Sequence, residues 1–194
     1  LVDAVSSLQV ARPFYEVETG AVLRRLFVTG WKTWAGPPVE ILLDPARTNL
    51  SDAFSDPLEL DGTIIHNTAG GAHWQHGKTE KHGHLLQVIF TKLLDQVKPG
   101  NQEEWEECLI HACYAKNEMV HYQGHSPFQY VFGRNPRVPS DLLKDNPEPV
   151  AGTAALHNAK YALAQEIRTA ARQAVVLAQD DKSLRLALAS RPRS

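Results

Sequence analysis

Apolar residues recur at helical spacing along most of this chain, and capping residues mark where helical stretches begin. Thr19 and Asn101 can each cap a helix, and Pro127 suits the first turn of another. The pattern predicts helices at about 19–34, 77–97, 101–118, 127–132 and 153–179. The apolar stripe of the long second helix comprises Leu86, Ile89, Phe90, Leu93 and Val97.

Short apolar runs between the helices predict β-strands. Residues 39–44 predict a buried strand with Asp44 at its carboxyl end, and residues 63–65 predict another. Residues 3–15 predict one or two further strands, whereas the glycines and histidines of 66–77 predict a loop. Because strands and helices alternate, we expect an α/β fold with a mixed sheet whose ligands gather at the carboxyl ends of strands.

The composition is that of a globular domain. Apolar residues make up 43% of the chain and charged residues 22%. No apolar run reaches the roughly 18 residues of a membrane-spanning helix, and no signal peptide is visible. The net charge of −2 argues against a generic nucleic-acid-binding domain. Residues 1–145 carry 13 basic and 18 acidic side chains and residues 146–194 carry 7 and 4, which suits either a metal-collecting core with a basic tail or an ordinary solvated surface.

The two cysteines, Cys108 and Cys113, lie five positions apart on a predicted helix. Nothing in the sequence pairs them into a disulfide framework or a zinc knuckle, so we expect buried thiols and a reducing intracellular compartment. Several histidines in or near the predicted loop match no familiar spacing of zinc ligands and are expected to be polar loop residues. They are His66, His73, His76, His82 and His84.

Asp44 and Glu80 are the strongest candidates for catalytic chemistry. Asp44 ends a predicted strand, Glu80 lies in the first turns of the long helix, and 35 residues separate them. Further motifs occur in order along the chain: Trp34-Ala35-Gly36-Pro37-Pro38, Gly77-Lys78-Thr79-Glu80-Lys81, Asn117, Gly124-His125-Ser126-Pro127-Phe128 and Phe132-Gly133-Arg134-Asn135-Pro136. With these motifs, residues 1–143 resemble the catalytic core of retroviral and retrotransposon integrases.

This resemblance implies a ribonuclease H-like fold, in which a mixed sheet is flanked by helices and followed by a C-terminal helical extension. The catalytic core would occupy residues 1–143, a linker 144–152, and the helical extension with its basic tail 153–194. The implied activity is hydrolysis of a phosphodiester followed by DNA strand transfer, as part of a retroelement polyprotein. The implied partners are DNA, both element ends and target, and further copies of the chain, in the nucleus when host DNA is the target.

The resemblance also implies a metal site. Two Mg²⁺ or Mn²⁺ ions roughly 3.5–4 Å apart can stabilise the attacking and leaving oxygens of a displacement at phosphorus. Mg²⁺ prefers hard oxygen ligands, which carboxylates supply. By family analogy Asp44 and Glu80 each bind one metal. Without the analogy, Asp44 is a strand-end cap and Glu80 is a first-turn acid stabilised by the helix dipole.

The third carboxylate of the family has a weak counterpart in Asp3. Asp3 is acidic and near a predicted strand, but Val2-Asp3-Ala4-Val5-Ser6 resembles the family's second strand rather than the first. The first catalytic aspartate would then lie upstream of Leu1, and we expect a truncated fragment that is inactive in strand transfer. After Asp44 the family usually has a glycine where this chain has Ala46, and Pro45 stiffens the turn.

Lys78, Lys81 and Lys92 lie on or near the helix of Glu80, and the resemblance implies that they approach DNA. Their contacts to phosphate would be non-specific and salt-dependent, and a solvated helix face explains them equally well. Asn117 is expected to make a structural hydrogen bond near the site. The Ala-rich C-terminal helix either leads to a DNA-binding domain or forms a dimer contact.

Two other functions stay open. A decayed or domesticated core would bind nucleic acid or protein without catalysis, and the altered turn after Asp44 together with the missing first aspartate favours it. Another ribonuclease H-like nuclease is the second alternative. The Ser126-Pro127 and Gly133-Arg134-Asn135-Pro136 motifs after the Glu80 helix argue against that nuclease.

Overall fold

A computed structural model shows a mostly helical α/β protein, which confirms the predicted class. The structure describes residues 1–44, 51–67, 73–122, 124–134 and 159–189, without the side chains at 73–76, 159–162 and 165. The predicted linker at 144–152 lies outside these ranges. None of the helices in the described ranges has the length and apolar character needed to cross a bilayer.

The chain forms two compact units. One contains Leu1 and Val10–His82, and the other contains Val2–Gln9 and Gly83–Ser194. In the first unit α1 (Gly20–Phe27), a π-helical segment (Val28–Lys32) and α2 (Thr33–Ala35) are followed by β1 (Glu40–Leu43), α3 (Asp52–Leu60) and β2 (Ile64–Asn67). A continuous helix, α4 (His73–Val97), begins in this unit and ends in the second. The second unit continues with α5 (Gln102–Met119), α6 (Pro127–Phe132) and α7 (Ala159–Ala189).

The sheet of the first unit is a parallel pair within the described residues, with β1 beside β2 and Leu43 opposite Asn67. Leu43 packs with Phe27, Phe54 and Leu58 in a small core that Ile41 and Ile65 border. Alternate residues point to opposite faces of a strand, so Leu42 and Ile64 lie on the other face, and both are exposed. The prediction of a fully buried first strand is therefore wrong: a single face is covered.

Helix α3 is the element that the sequence pattern did not predict. Phe54 and Leu58 lie one turn apart and fill the core described above, while Pro57 stands inside the helix. The start of α3 also approaches α1 closely, because a Cβ added at Gly20 would lie 1.9 Å from Ser51 Oγ. A side chain at position 20 would therefore force the Ser51 hydroxyl to move.

The second unit is built on the packing of α7 against α5. Its fully buried side chains include Ile89 and Leu93 of α4 and Ile167 and Val175 of α7. The rings of Phe90 and Trp105 meet edge to face at 4.9 Å between centroids. The predicted C-terminal helix at 153–179 is confirmed from residue 159, continues to Ala189, and lies outside the described residues at 153–158.

The prediction of one or two strands at residues 3–15 is wrong. A single antiparallel bridge joins Val2 to Gln9, and residues 4–6 form a turn between them. Asp3 Oδ2 accepts hydrogen bonds from the backbone N–H of Val5 at 3.2 Å and of Ser6 at 2.5 Å. Such local side-chain bonds replace the ladder bonds of a strand, and this explains why the apolar pattern failed here.

Most predicted helix starts are confirmed by their caps. Thr19 Oγ1 accepts from Val22 N, and Asn101 Oδ1 accepts from Glu104 N. Ser126 and Gln129 form a reciprocal capping box at the start of α6. The long helix α4 begins at His73, four residues before the predicted start, so part of the predicted loop at 66–77 is helical.

Candidate functional site

Asp44 follows β1 directly and is exposed. Because β1 and β2 run parallel with Leu43 opposite Asn67, the carboxyl ends of both strands meet at the same edge of the sheet. This is the edge at which α/β sheets bind ligands. The placement predicted for Asp44, at the carboxyl end of a strand, is thus the one that the structure has.

Glu80 is exposed on α4, seven residues after that helix begins. Lys78 and Lys81 are exposed beside it, whereas His82 is buried. Asp44 and Glu80 both belong to the compact unit Val10–His82. An exposed carboxylate on a sheet edge and another on the following long helix are both accessible to a cation or a hydrogen-bond donor from solution.

The third lysine, Lys92, has a partner within the second unit. Its Nζ lies 2.7 Å from Asp181 Oδ2 on α7. A phosphate group would have to compete with this carboxylate for the Lys92 ammonium.

Asp3 lies in the other compact unit. It belongs with Val2–Gln9 to the second unit. Besides the two backbone N–H groups, its Oδ2 accepts a hydrogen bond from Ser6 Oγ at 2.6 Å. These bonds give the carboxylate a structural role in the N-terminal turn.

No family model matches the chain, and no curated protein matches it.

Across the described ranges, no group of three or more His, Cys, Asp or Glu side chains is arranged to hold a metal ion. His66 lies in β2, where its Nε2 is 3.4 Å from Glu40 Oε2, so this histidine contacts a neighbouring strand. The side chains of His73 and His76 lie outside the described residues. Asp44 and Glu80 have the hard oxygens that Mg²⁺ prefers, but these ranges supply no third ligand to complete a two-metal set.

Asn117 has the structural hydrogen-bonding role that the sequence predicted. Its Oδ1 accepts from Gln9 N at 3.0 Å and its Nδ2 donates to Gln9 O at 2.7 Å. Cys113 Sγ also donates to Gln9 O, at 3.1 Å. These bonds join the segment Val2–Gln9 to α5 of the same unit.

The sequence pattern did not predict a buried polar cluster between α5 and α7. Arg172 Nη2 donates to Glu118 Oε2 at 3.0 Å, and the two side chains are 10% and 2% exposed. Lys116 is fully buried in the same helix as Glu118. It lies four residues after Ala112 and eight after Cys108, on the apolar face of α5, and this spacing is the signal that could have revealed its burial.

Burial sets the protonation of this cluster. It lowers the pKa of Lys116 to about 8. Burial also lowers the pKa of His111, and the charges of Arg168 and Arg172 lower it further. Burial raises the pKa of Tyr114, and the charge of Glu118 and a hydrogen bond to it add to the increase. Glu118, Arg172 and Lys116 are buried, whereas Tyr114 is 43% exposed.

The cysteines are buried free thiols, as predicted. Burial raises the pKa of Cys108 to about 11, and the charges of Glu107 and Glu104 contribute. A thiol with so high a pKa is a poor nucleophile, because the thiolate is the reactive form. We therefore assign Cys108 to the core.

Proposed function

We propose that this chain is an integrase-like core that hydrolyses a phosphodiester and transfers DNA strands as part of a retroelement polyprotein. One observation carries the proposal. Asp44 follows a parallel strand, Glu80 is exposed on the long helix after the second strand, and both belong to one compact unit. The proposal includes a ribonuclease H-like arrangement, in which the parallel pair would be part of a mixed sheet flanked by helices.

Asp44 and Glu80 would hold Mg²⁺ or Mn²⁺ through their carboxylate oxygens. A bound ion of this kind stabilises negative charge on the attacking and leaving oxygens at phosphorus. Lys78 and Lys81, exposed beside Glu80, would contact DNA phosphates without regard to sequence. The partners proposed are element ends, target DNA and further copies of this chain, acting in the nucleus on host DNA.

A Mn²⁺ titration tests the assignment directly. The free ion is followed by its electron paramagnetic resonance signal while the 194-residue chain is added. We expect Asp44→Asn and Glu80→Gln each to weaken Mn²⁺ binding about tenfold or more, since each removes one charged oxygen ligand.

Glu59→Gln is the matched control for this titration. Glu59 is an exposed acid on α3 of the same compact unit, and its removal changes the net charge by the same amount. Its Mn²⁺ affinity should equal that of the wild type. Equal losses of Mn²⁺ affinity in all three variants would indicate diffuse charge attraction. Unchanged affinity in Asp44→Asn and Glu80→Gln would refute the site.

The second candidate function is a domesticated or decayed core that binds nucleic acid without catalysis. It is favoured by the absence of a three-ligand group from the described residues and by the use of the Asp3 carboxylate within its own turn. Such a protein would keep the exposed lysines beside Glu80 and lose the metal chemistry.

DNA binding and strand joining separate the two functions. Duplex affinity is measured at several salt concentrations for the wild type and for the double variant Lys78→Gln/Lys81→Gln. If both lysines contact phosphates, the slope of log affinity against log salt should fall by about 0.9 for each lost contact. Joining that Glu80→Gln abolishes supports the integrase proposal. The 194-residue chain is expected to be inactive in strand transfer, so salt-dependent DNA binding supports the domesticated core only when Mn²⁺ binding at Asp44 and Glu80 is also absent.

A further inference from the structure

Helix α7 changes character along its length. Its residues up to Ala178 include a face that is buried within the second unit, with Ile167, Ala174 and Val175 fully covered. From residue 179 to residue 189, by contrast, none of the described residues is buried. About three turns of helix therefore continue beyond the packed part of the unit.

Three exposed leucines form a stripe that begins just before this part of α7 and continues along it. Leu177, Leu184 and Leu188 are 50%, 60% and 84% exposed. Their spacing places them within about 40° of one another around the helix, at roughly 100° per residue. Leu186, which is 63% exposed, falls on the opposite side. A short helical segment gains little stability from its own backbone in water, so an apolar stripe of this kind favours a packing partner.

The charges beside the stripe indicate which partner fits. Asp181 and Arg185 lie one turn apart on the same flank of the three leucines. When two identical helices pack antiparallel, equivalent flanks face each other, so Asp181 of each copy meets Arg185 of the other. In a parallel pair this flank would instead face the flank that carries Asp180, so that Asp181 would meet a like charge and Arg185 an opposite one. The pattern is complementary to itself in the antiparallel arrangement.

We propose that Leu177, Leu184 and Leu188 form a self-association surface on which α7 of a second copy packs antiparallel, with Asp181 and Arg185 paired across it. This surface deepens the proposed function, which expects several copies of the chain. Asp181 also contacts Lys92 of its own chain, and its side chain is still 46% exposed. The surface involves neither Asp44 nor Glu80, so a failed metal titration would leave it untouched.

Sedimentation velocity over a range of protein concentrations tests the surface. The wild-type chain should pass from monomer to dimer, and Leu184→Glu should remain monomeric because a charge would be buried in the contact. Leu186→Glu is the control, since it adds the same charge on the opposite side of the helix, and it should still dimerise. A wild type that stays monomeric at every concentration overturns the proposal, as does equal dissociation by both variants.

A mixing experiment tests the antiparallel pairing. Arg185→Glu places two acids on the flank and Asp181→Lys places two bases there, so each variant alone should be monomeric. An equal mixture of the two should form heterodimers, because every cross-pair then joins opposite charges. Circular dichroism of each variant checks that α7 remains folded. If the mixture stays monomeric while both variants are folded, the antiparallel assignment is wrong.

Discussion

Lys116 carries an amine that is fully enclosed by the second unit. Enclosure favours the neutral form, and the pKa is accordingly lowered from 10.5 to about 8. The unfolded chain would therefore hold a proton on Lys116 between about pH 8 and pH 10.5 that the folded chain has released. Stability from this residue is fully present above the unfolded pKa and is lost as the pH falls through the folded one.

We predict that the free energy of unfolding of the wild type, relative to Lys116→Met, rises by up to about 3 kcal/mol between pH 7 and pH 10.5. Urea unfolding at a series of pH values measures both proteins, and subtracting the variant removes the titration of the cysteines. Lys182→Met is the control, because Lys182 is exposed. If the difference in unfolding free energy between the wild type and Lys116→Met does not change with pH, the Lys116 amine is hydrated in solution.

At the scale of elements, a buried ion pair joins α7 to α5. Glu118 is almost fully enclosed, and Arg172 donates a hydrogen bond to its carboxylate. Removing one member of a buried pair leaves an uncompensated charge, whereas replacing both members by apolar residues is often neutral or stabilising. The pair therefore fixes which parts of the two helices meet more than it adds to net stability.

We predict that Arg172→Met lowers the free energy of unfolding by about 3–5 kcal/mol and that adding Glu118→Leu recovers most of the loss. Urea unfolding of the two variants gives both numbers. The single variant should also raise the pKa of His111 in an NMR titration, because the charge of Arg172 now lowers it. If the double variant is no more stable than Arg172→Met, the loss of unfolding free energy comes from lost packing rather than from the unpaired Glu118 carboxylate.

Elements could be predicted from the sequence where their signals are local. The caps at Thr19, Asn101 and Ser126 involve residues at most three positions apart, so each could be recognised without knowing the rest of the fold. Helix α3 was missed because its interior Pro57 is unfavourable and because its apolar residues gain their stability from distant partners such as Phe27. At residues 3–15 the error was the opposite one: the apolar pattern predicted strands, but the local hydrogen bonds of Asp3 form a turn.

The functional and buried polar residues also differ in how far the sequence could predict them. Asp44 and Glu80 could be proposed from their spacing and their positions at the end of a strand and early in a helix. The burial of Glu118 could not, because its partner Arg172 on α7 lies 54 positions further along the chain. A repeating apolar pattern shows which face of a helix is covered, but not which charged residue on that face will find a partner.

On the scale of the whole molecule, the two units are nested along the chain. The segment Val2–Gln9 belongs with residues from Gly83 onward, and the unit of Val10–His82 is inserted between them. A contact prediction from nearby residues would have assigned Val2–Gln9 to the strands that follow it. In the structure, Val2–Gln9 instead belongs with helices that follow much later in the sequence.

This nesting affects the order in which the two units can fold during synthesis. Gln9 is held by Asn117, which is 108 positions further along. At roughly 5–20 residues per second of synthesis, the wait for that partner is on the order of ten seconds. The inserted unit ends at His82, so its whole sequence exists for roughly the last third of that interval and it can fold first, whereas Val2–Gln9 still lacks its partner. Translation speed thus becomes a factor in whether this chain reaches its native state.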